Sequence, residues 1–159
     1  MTMSTIQSEH FTKACLILLE ETFANVIGIY LDKGTSLFET LAEISSEEAS
    51  IPVGGQCATL AAQVKHVAFY LDVVVKSAQD SNFPQVDWME IWNNVNAVSE
   101  REWQEIKAEL RRSYDSVQEL IKTTPEWPSE MEIGGAMGVI AHTAYHLGEI
   151  RQALCTLKP

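Results

Sequence analysis

Apolar residues recur every third or fourth position along most of this chain, which is the period of an α-helix with one buried face. Phe11, Cys15, Leu18, Leu19, Thr22, Val26 and Ile29 form the first such series, opened by the capping-box pattern Ser4-Thr5-Ile6-Gln7. They predict helix 1 from Thr5 to Leu31, stopped at Asp32-Lys33-Gly34, where glycine suits a left-handed end. Ser36-Leu37-Phe38-Glu39 is a second capping box and opens a short extra helix to Ile44, after which Ser45 to Pro52 is polar and broken.

Helix 2 is expected from Gln56, just after Gly54-Gly55, to Gln79, with Thr59, Ala62, Gln63, His66, Phe69, Tyr70 and Val73 on its inward face. The stretch from Asp80 to Asn96 holds Pro84, Trp88 and Trp92, and is too apolar for a solvated linker. It is expected to pack over one end of the domain, as a lid beside a pocket or as a plug of the core. Ser99 to Glu102 is a third capping box, and Trp103, Ile106, Leu110, Tyr114, Val117 and Ile121 carry helix 3 to Lys122. Thr124-Pro125-Glu126-Trp127-Pro128 breaks it, and helix 4 starts between Ser129 and Gly135 and runs to Leu157. No stretch alternates as a strand would. The pattern predicts an all-α four-helix bundle forming one domain over residues 1–159, with a long Trp-containing loop between helices 2 and 3.

Composition narrows the function. The chain of 159 residues has net charge −11 and 46% hydrophobic residues, so it can bury a core but opposes both nucleic acid and anionic membrane surfaces. Cys15, Cys57 and Cys155 are three and far apart, and are expected as reduced, buried thiols. With no basic segment leading into an apolar core at the N-terminus and no run long enough to span a bilayer, the expected location is cytoplasmic.

Candidate chemistry gathers in helix 4. Four residues advance a helix by about 400°, so His142 and His146 stand one above the other, and Glu149 falls about 20° round the axis from His142. Two stacked imidazoles can hold one metal ion. His66, alone in the middle of helix 2, has the plainer reading of a hydrogen-bonded core histidine. An internal echo changes that: residues 53–61 align with residues 133–141 at an offset of 80, and the same offset carries His66 onto His146. If helices 2 and 4 start at their Gly-Gly pairs and run parallel, the two histidines lie at equal depth, about 16 Å along each axis. His66, His142 and His146 then converge inside the bundle. His10 lies outside this set and is assigned to solvent or a core hydrogen bond.

Three neutral imidazoles leave one open position on a tetrahedral ion, the arrangement of a catalytic zinc site, and nickel, iron or manganese accept the same donors. Such an ion activates water or a thiol. Glu149 would take the released proton or orient His142, or else pair with Arg151 or Lys158 at the surface. A ferritin-like di-iron site is excluded because Glu-x-x-His does not occur.

The residues Val64-Lys65-His66-Val67, the run from His142 to Leu154, and the loop from Val86-Asp87-Trp88 to Trp92 resemble the DinB/YfiT-like superfamily. The resemblance spans essentially the whole chain. It implies a four-helix bundle of unusual helix order, often a homodimer, with a divalent metal, zinc or nickel foremost, on His66, His142 and His146. It further implies a small-molecule substrate, with relatives that transfer or isomerise using a low-molecular-weight thiol. Glu149 departs from the pattern, where glutamine is common. The competing reading is a metal-free bundle that acts as a binding or interaction module, its pocket roofed by Trp88 and Trp92.

Overall fold

The computed structural model describes residues 6–55 and 57–157, and it is helical with no strand among them. In chain order the helices are α1 (Ser8–Phe23), α2 (Leu37–Ala42), α3 (Ser46–Ala49), α4 (Leu60–Gln79), α5 (Glu90–Asn94), α6 (Glu100–Thr123) and α7 (Glu130–Leu157). Among the described residues no helix is long and apolar enough to cross a membrane.

The serine boxes at Ser36 and Ser99 work as the sequence predicts, and a further one at Ser45 opens the four-residue α3 within the stretch expected to be broken. At Ser99, the hydroxyl accepts from the Glu102 backbone N–H while the Glu102 carboxylate accepts from the Ser99 N–H at 2.7 Å. The first box, at Ser4 to Gln7, falls mostly outside the described residues.

Helix 1 ends earlier than its periodicity suggests, at Phe23 rather than Leu31. The reason is Glu21, which is fully buried and whose carboxylate accepts hydrogen bonds from the backbone N–H groups of Ile29, Tyr30 and Leu31 at 2.7 to 2.9 Å. A carboxylate that gathers three N–H groups folds the following segment back on the helix instead of letting it continue. Gly34 does adopt a left-handed conformation, with φ of 80°, but in the loop after that turn. Helix 2 likewise starts later, at Leu60, because Gly54 and Gly55 take positive φ and Thr59 caps Ala62.

Contacts between helices fix their directions. The ion pair of Lys65 with Glu109 and the Ser113 hydroxyl donating to Asp72 at 2.8 Å advance together along both chains, so α4 and α6 are parallel. The rings of His66 and His146 meet, while Tyr70, one turn later on α4, meets His142, one turn earlier on α7. Helices α4 and α7 are therefore antiparallel, against the parallel arrangement expected from simple alternation. Tyr114 donates to Glu20 and Trp127, beyond the end of α6, reaches back to Thr12, so α1 opposes α6.

A parallel α4–α6 pair obliges residues 80–99 to travel back along the whole of α4, about 30 Å for its 20 residues. That return path carries α5 and both tryptophans alongside α4, and it is pinned at its end where Thr59 donates to the Asn96 carbonyl and Ser50 accepts from the Val98 N–H. Helix α4 is thus covered on several sides. Besides the predicted inward residues Thr59, Ala62, Gln63 and His66, it buries Val64, Val67, Ala68 and Leu71, while Phe69, Tyr70 and Val73 are only partly covered.

The core is built around Trp103, fully buried, whose indole N–H donates to the Ile44 carbonyl at 2.9 Å and so ties α6 to the end of the α2 segment. Trp103→Phe keeps most of the apolar volume but strands that carbonyl. We expect a loss of about 2 kcal/mol, read as a fall in melting temperature of about 4–8 °C. A change under 1 °C would show that the tie contributes nothing.

Cys15 is buried, as expected, but Cys57 and Cys155 are exposed. Cys57 lies in the irregular connection before α4, and Cys155 lies on the outer face near the end of α7. All three are free thiols. His10 is exposed on α1 and far in sequence from the other histidines.

Candidate metal centre

Helix periodicity places His142 and His146 on one face of α7, and the antiparallel packing of α4 presents His66 between them. Ring centroids are 4.6 Å apart for His142 and His146, 4.9 Å for His66 and His146, and 5.2 Å for His66 and His142. One nitrogen from each ring lies within 4.8 Å of the others. Three nitrogens on one ion at roughly 2.0–2.1 Å stand about 3.4 Å apart, so small ring rotations bring the set to coordination distance.

The electrostatics suit donation of lone pairs. His66 and His146 are buried and His142 is half-buried. Burial first, and then the neighbouring imidazoles, push His66 and His142 down to about 4, and burial lowers His146 as well, with Glu149 opposing each shift. All three rings are neutral at pH 7. Each also has a buried ring nitrogen without a directed hydrogen bond: Nδ1 of His66, Nε2 of His142 and Nδ1 of His146. Buried imidazoles without partners fit a shared cation, since a plain core histidine satisfies its nitrogens within the protein.

The Glu149 carboxylate stands 2.9 Å from His146 Nδ1. It therefore serves His146 and not His142, the ring expected from helix angles; a residue three positions on reaches back across one turn more readily than one seven positions on. The oxygen lies off the N–H direction, so the contact is electrostatic rather than a directed hydrogen bond. The same carboxylate engages the Tyr145 phenol, raising Tyr145 above the usual range. Arg151 is not its partner, because its guanidinium donates to the Thr40 hydroxyl at 3.2 Å. Lys158 lies outside the described residues.

Aromatic rings enclose the triad. Trp92 lies over His66 with centroids 4.5 Å apart, and Trp88 stands farther off at 6.5 Å, packed on Phe69 and Tyr70 and largely exposed. Of the expected roof, Trp92 is the part in close contact. Tyr70 stacks on His142 with centroids 3.8 Å apart. Its role was not visible in the sequence beyond its place on the inward face, although a tyrosine four residues after a candidate histidine is the available signal. The half-helix α5, which delivers Trp92, was hidden inside the long loop.

The two Gly-Gly sequences that suggested the echo are not equivalent: Gly54-Gly55 forms a turn ahead of α4, whereas Gly134-Gly135 lies inside α7. The histidines converge through antiparallel packing instead.

A family model described as the DinB superfamily matches residues 31–150, about three quarters of the chain, and the match takes in all three histidines and Glu149. No curated protein and no solved structure matches.

Proposed function

The chain belongs to the DinB superfamily, and from that membership we propose that it is a divalent-metal-dependent enzyme, with His66, His142 and His146 as the ligands and zinc or nickel as the metal. The observation that carries this reading is the convergence of three neutral imidazoles, two buried and one half-buried, each with a buried nitrogen that has no directed hydrogen bond. A divalent ion held by His66, His142 and His146 would supply the Lewis acidity that activates water or a thiol near neutral pH. The protein's own share is distinct. Glu149, 2.9 Å from His146 Nδ1, holds that ring in place and offers a carboxylate beside the triad for proton transfer. Trp92 and Tyr70 keep bulk water from two sides of the triad, which strengthens every charge interaction within. The reaction classes that fit are thiol-dependent transfer or isomerisation, and hydrolysis, on a small-molecule substrate.

Protein purified without chelator should carry close to one equivalent of divalent metal by elemental analysis. Stripping it should lower the melting temperature by about 5–10 °C, the effect of losing a ligand held about a hundredfold above its Kd. Metal-free protein with an unchanged melting temperature after chelation would overturn the proposal.

One observation favours a second reading, a ligand-binding bundle. An apolar cavity of about 390 Å³, lined by Val74, Val117, Ile121, Trp127 and Val139, lies one helical turn beyond Tyr70 and His142. In that case apolar ligands, not metals, would raise the melting temperature with concentration.

A further inference from the structure

Among the described residues, the buried side-chain atoms without any hydrogen-bond partner are Gln63 Oε1, His66 Nδ1, His142 Nε2, Thr143 Oγ1 and His146 Nδ1. All lie on α4 or α7 within one turn of a triad histidine. A fold rarely leaves such atoms unpaired, so each calls for a partner or an explanation. The histidines are accounted for by the metal reading. Thr143 carries no argument, since a helical threonine hydroxyl reaches a carbonyl of the preceding turn by rotating χ1. Gln63 differs: its amide oxygen is a buried acceptor with no donor in reach.

Its position is set by the helix. Gln63 is about 60° from His66 and about 20° from Tyr70 around the α4 axis, so it shares the sector that faces α7. His66 meets His146, and the helices are antiparallel, so Gln63, three residues before His66, stands opposite Glu149, three residues after His146. Tyr70 closes the other end of the triad and Trp92 covers His66. The Gln63 end is the one on which neither ring stacks.

We propose that Gln63 is a substrate-orienting residue, whose amide oxygen accepts a hydrogen bond from an O–H or N–H of the molecule seated at the triad. The substrate class is then a thiol or hydroxy compound that carries a second, protic group near its reacting atom. This rests on the metal reading given above.

The test uses the full-length protein loaded with cobalt(II), whose visible and thiolate charge-transfer bands report on the ligand at the open position. The probes are 2-mercaptoethanol and ethanethiol, which offer the same thiolate with and without a hydroxyl donor. Wild-type protein should bind 2-mercaptoethanol about tenfold more tightly, the scale on which a site built around a hydrogen bond discriminates. Gln63→Met should erase that preference, and Gln63→Glu, which restores an acceptor, should recover it. Metal-free Gln63→Met should also melt about 2–6 °C higher than wild type, because an unpaired buried polar group has been removed. A merely structural glutamine would give the opposite sign. An unchanged preference in Gln63→Met, no preference in wild type, or a lower metal-free melting temperature would each overturn the assignment. Wild-type protein that takes up no cobalt would instead overturn the metal reading itself.

Discussion

Glu21→Ala is expected to cost about 4 kcal/mol of stability, a fall in melting temperature of about 8–16 °C by thermal denaturation. The carboxylate is fully buried and accepts from Ile29 N–H at 2.9 Å, Tyr30 N–H at 2.7 Å and Leu31 N–H at 2.8 Å. Removing it leaves three backbone donors facing a hole, and each buried donor without a partner costs about 1–3 kcal/mol. The segment relaxes toward water in part, which keeps the total below the full sum. It does so by releasing Tyr30, whose phenol is bonded to the Thr22 hydroxyl, so the loop and the end of α1 loosen together. Burial pushes the Glu21 carboxyl up, but the backbone donors outweigh it and hold it below the ordinary carboxylate value. A lowered folded pKa stabilises the protein above the unfolded value of about 4.3, and that contribution is lost as pH falls through the folded value. Stability of the variant should therefore fall less steeply with acid than that of wild type. A melting temperature within 2 °C of wild type would show that the carboxylate does not organise this turn.

Glu21 also shows where the sequence stops being legible. A helical period over residues 11 to 29 is a statement about which positions are apolar, and Val26 and Ile29 satisfy it by coincidence after the helix has ended. What ends it is a side chain bonding to backbone eight to ten residues on, which no periodicity encodes. The capping boxes behaved oppositely. At Ser36 and Ser99 the whole interaction lies within four residues, so pattern and structure coincide. The same contrast holds at the site. The pairing of His142 with His146 is local helical geometry and could be read directly. Bringing His66 to them depends on helix direction, which in turn depends on the long return of residues 80–99, and the Gly-Gly echo supported the right meeting through the wrong packing. Helical angles put Glu149 on the face of the triad but nearest His142, whereas its carboxylate meets His146, because such angles ignore how far a glutamate reaches.

His146→Ala is expected to reduce affinity for divalent metal by about a thousandfold or more, and Glu149→Gln by about 10- to 100-fold. The first removes one of the three proposed ligands, and the two imidazoles left, His66 and His142, would no longer enclose an ion. The second keeps every ligand and loosens only the carboxylate contact on His146 Nδ1. Competition against a coloured chelator measures both, and equal losses in the two variants would place Glu149 among the ligands. Acid adds an independent check. Protons compete with metal for imidazole only near and below its pKa, and His66 and His142 stand at about 4 where an ordinary histidine stands near 6.5. Metal should therefore stay bound through pH 6, where an exposed three-histidine site begins to release it. The unfolded chain takes up protons from pH 6.5 downward while the folded rings resist them until about 4, so the stability of holo and metal-free protein alike drains away across that window. Holo and metal-free protein should therefore keep a nearly constant gap in melting temperature from pH 7 to 5, because the unfolded chain is common to both and the folded triad stays neutral, and the gap should close only as pH approaches 4.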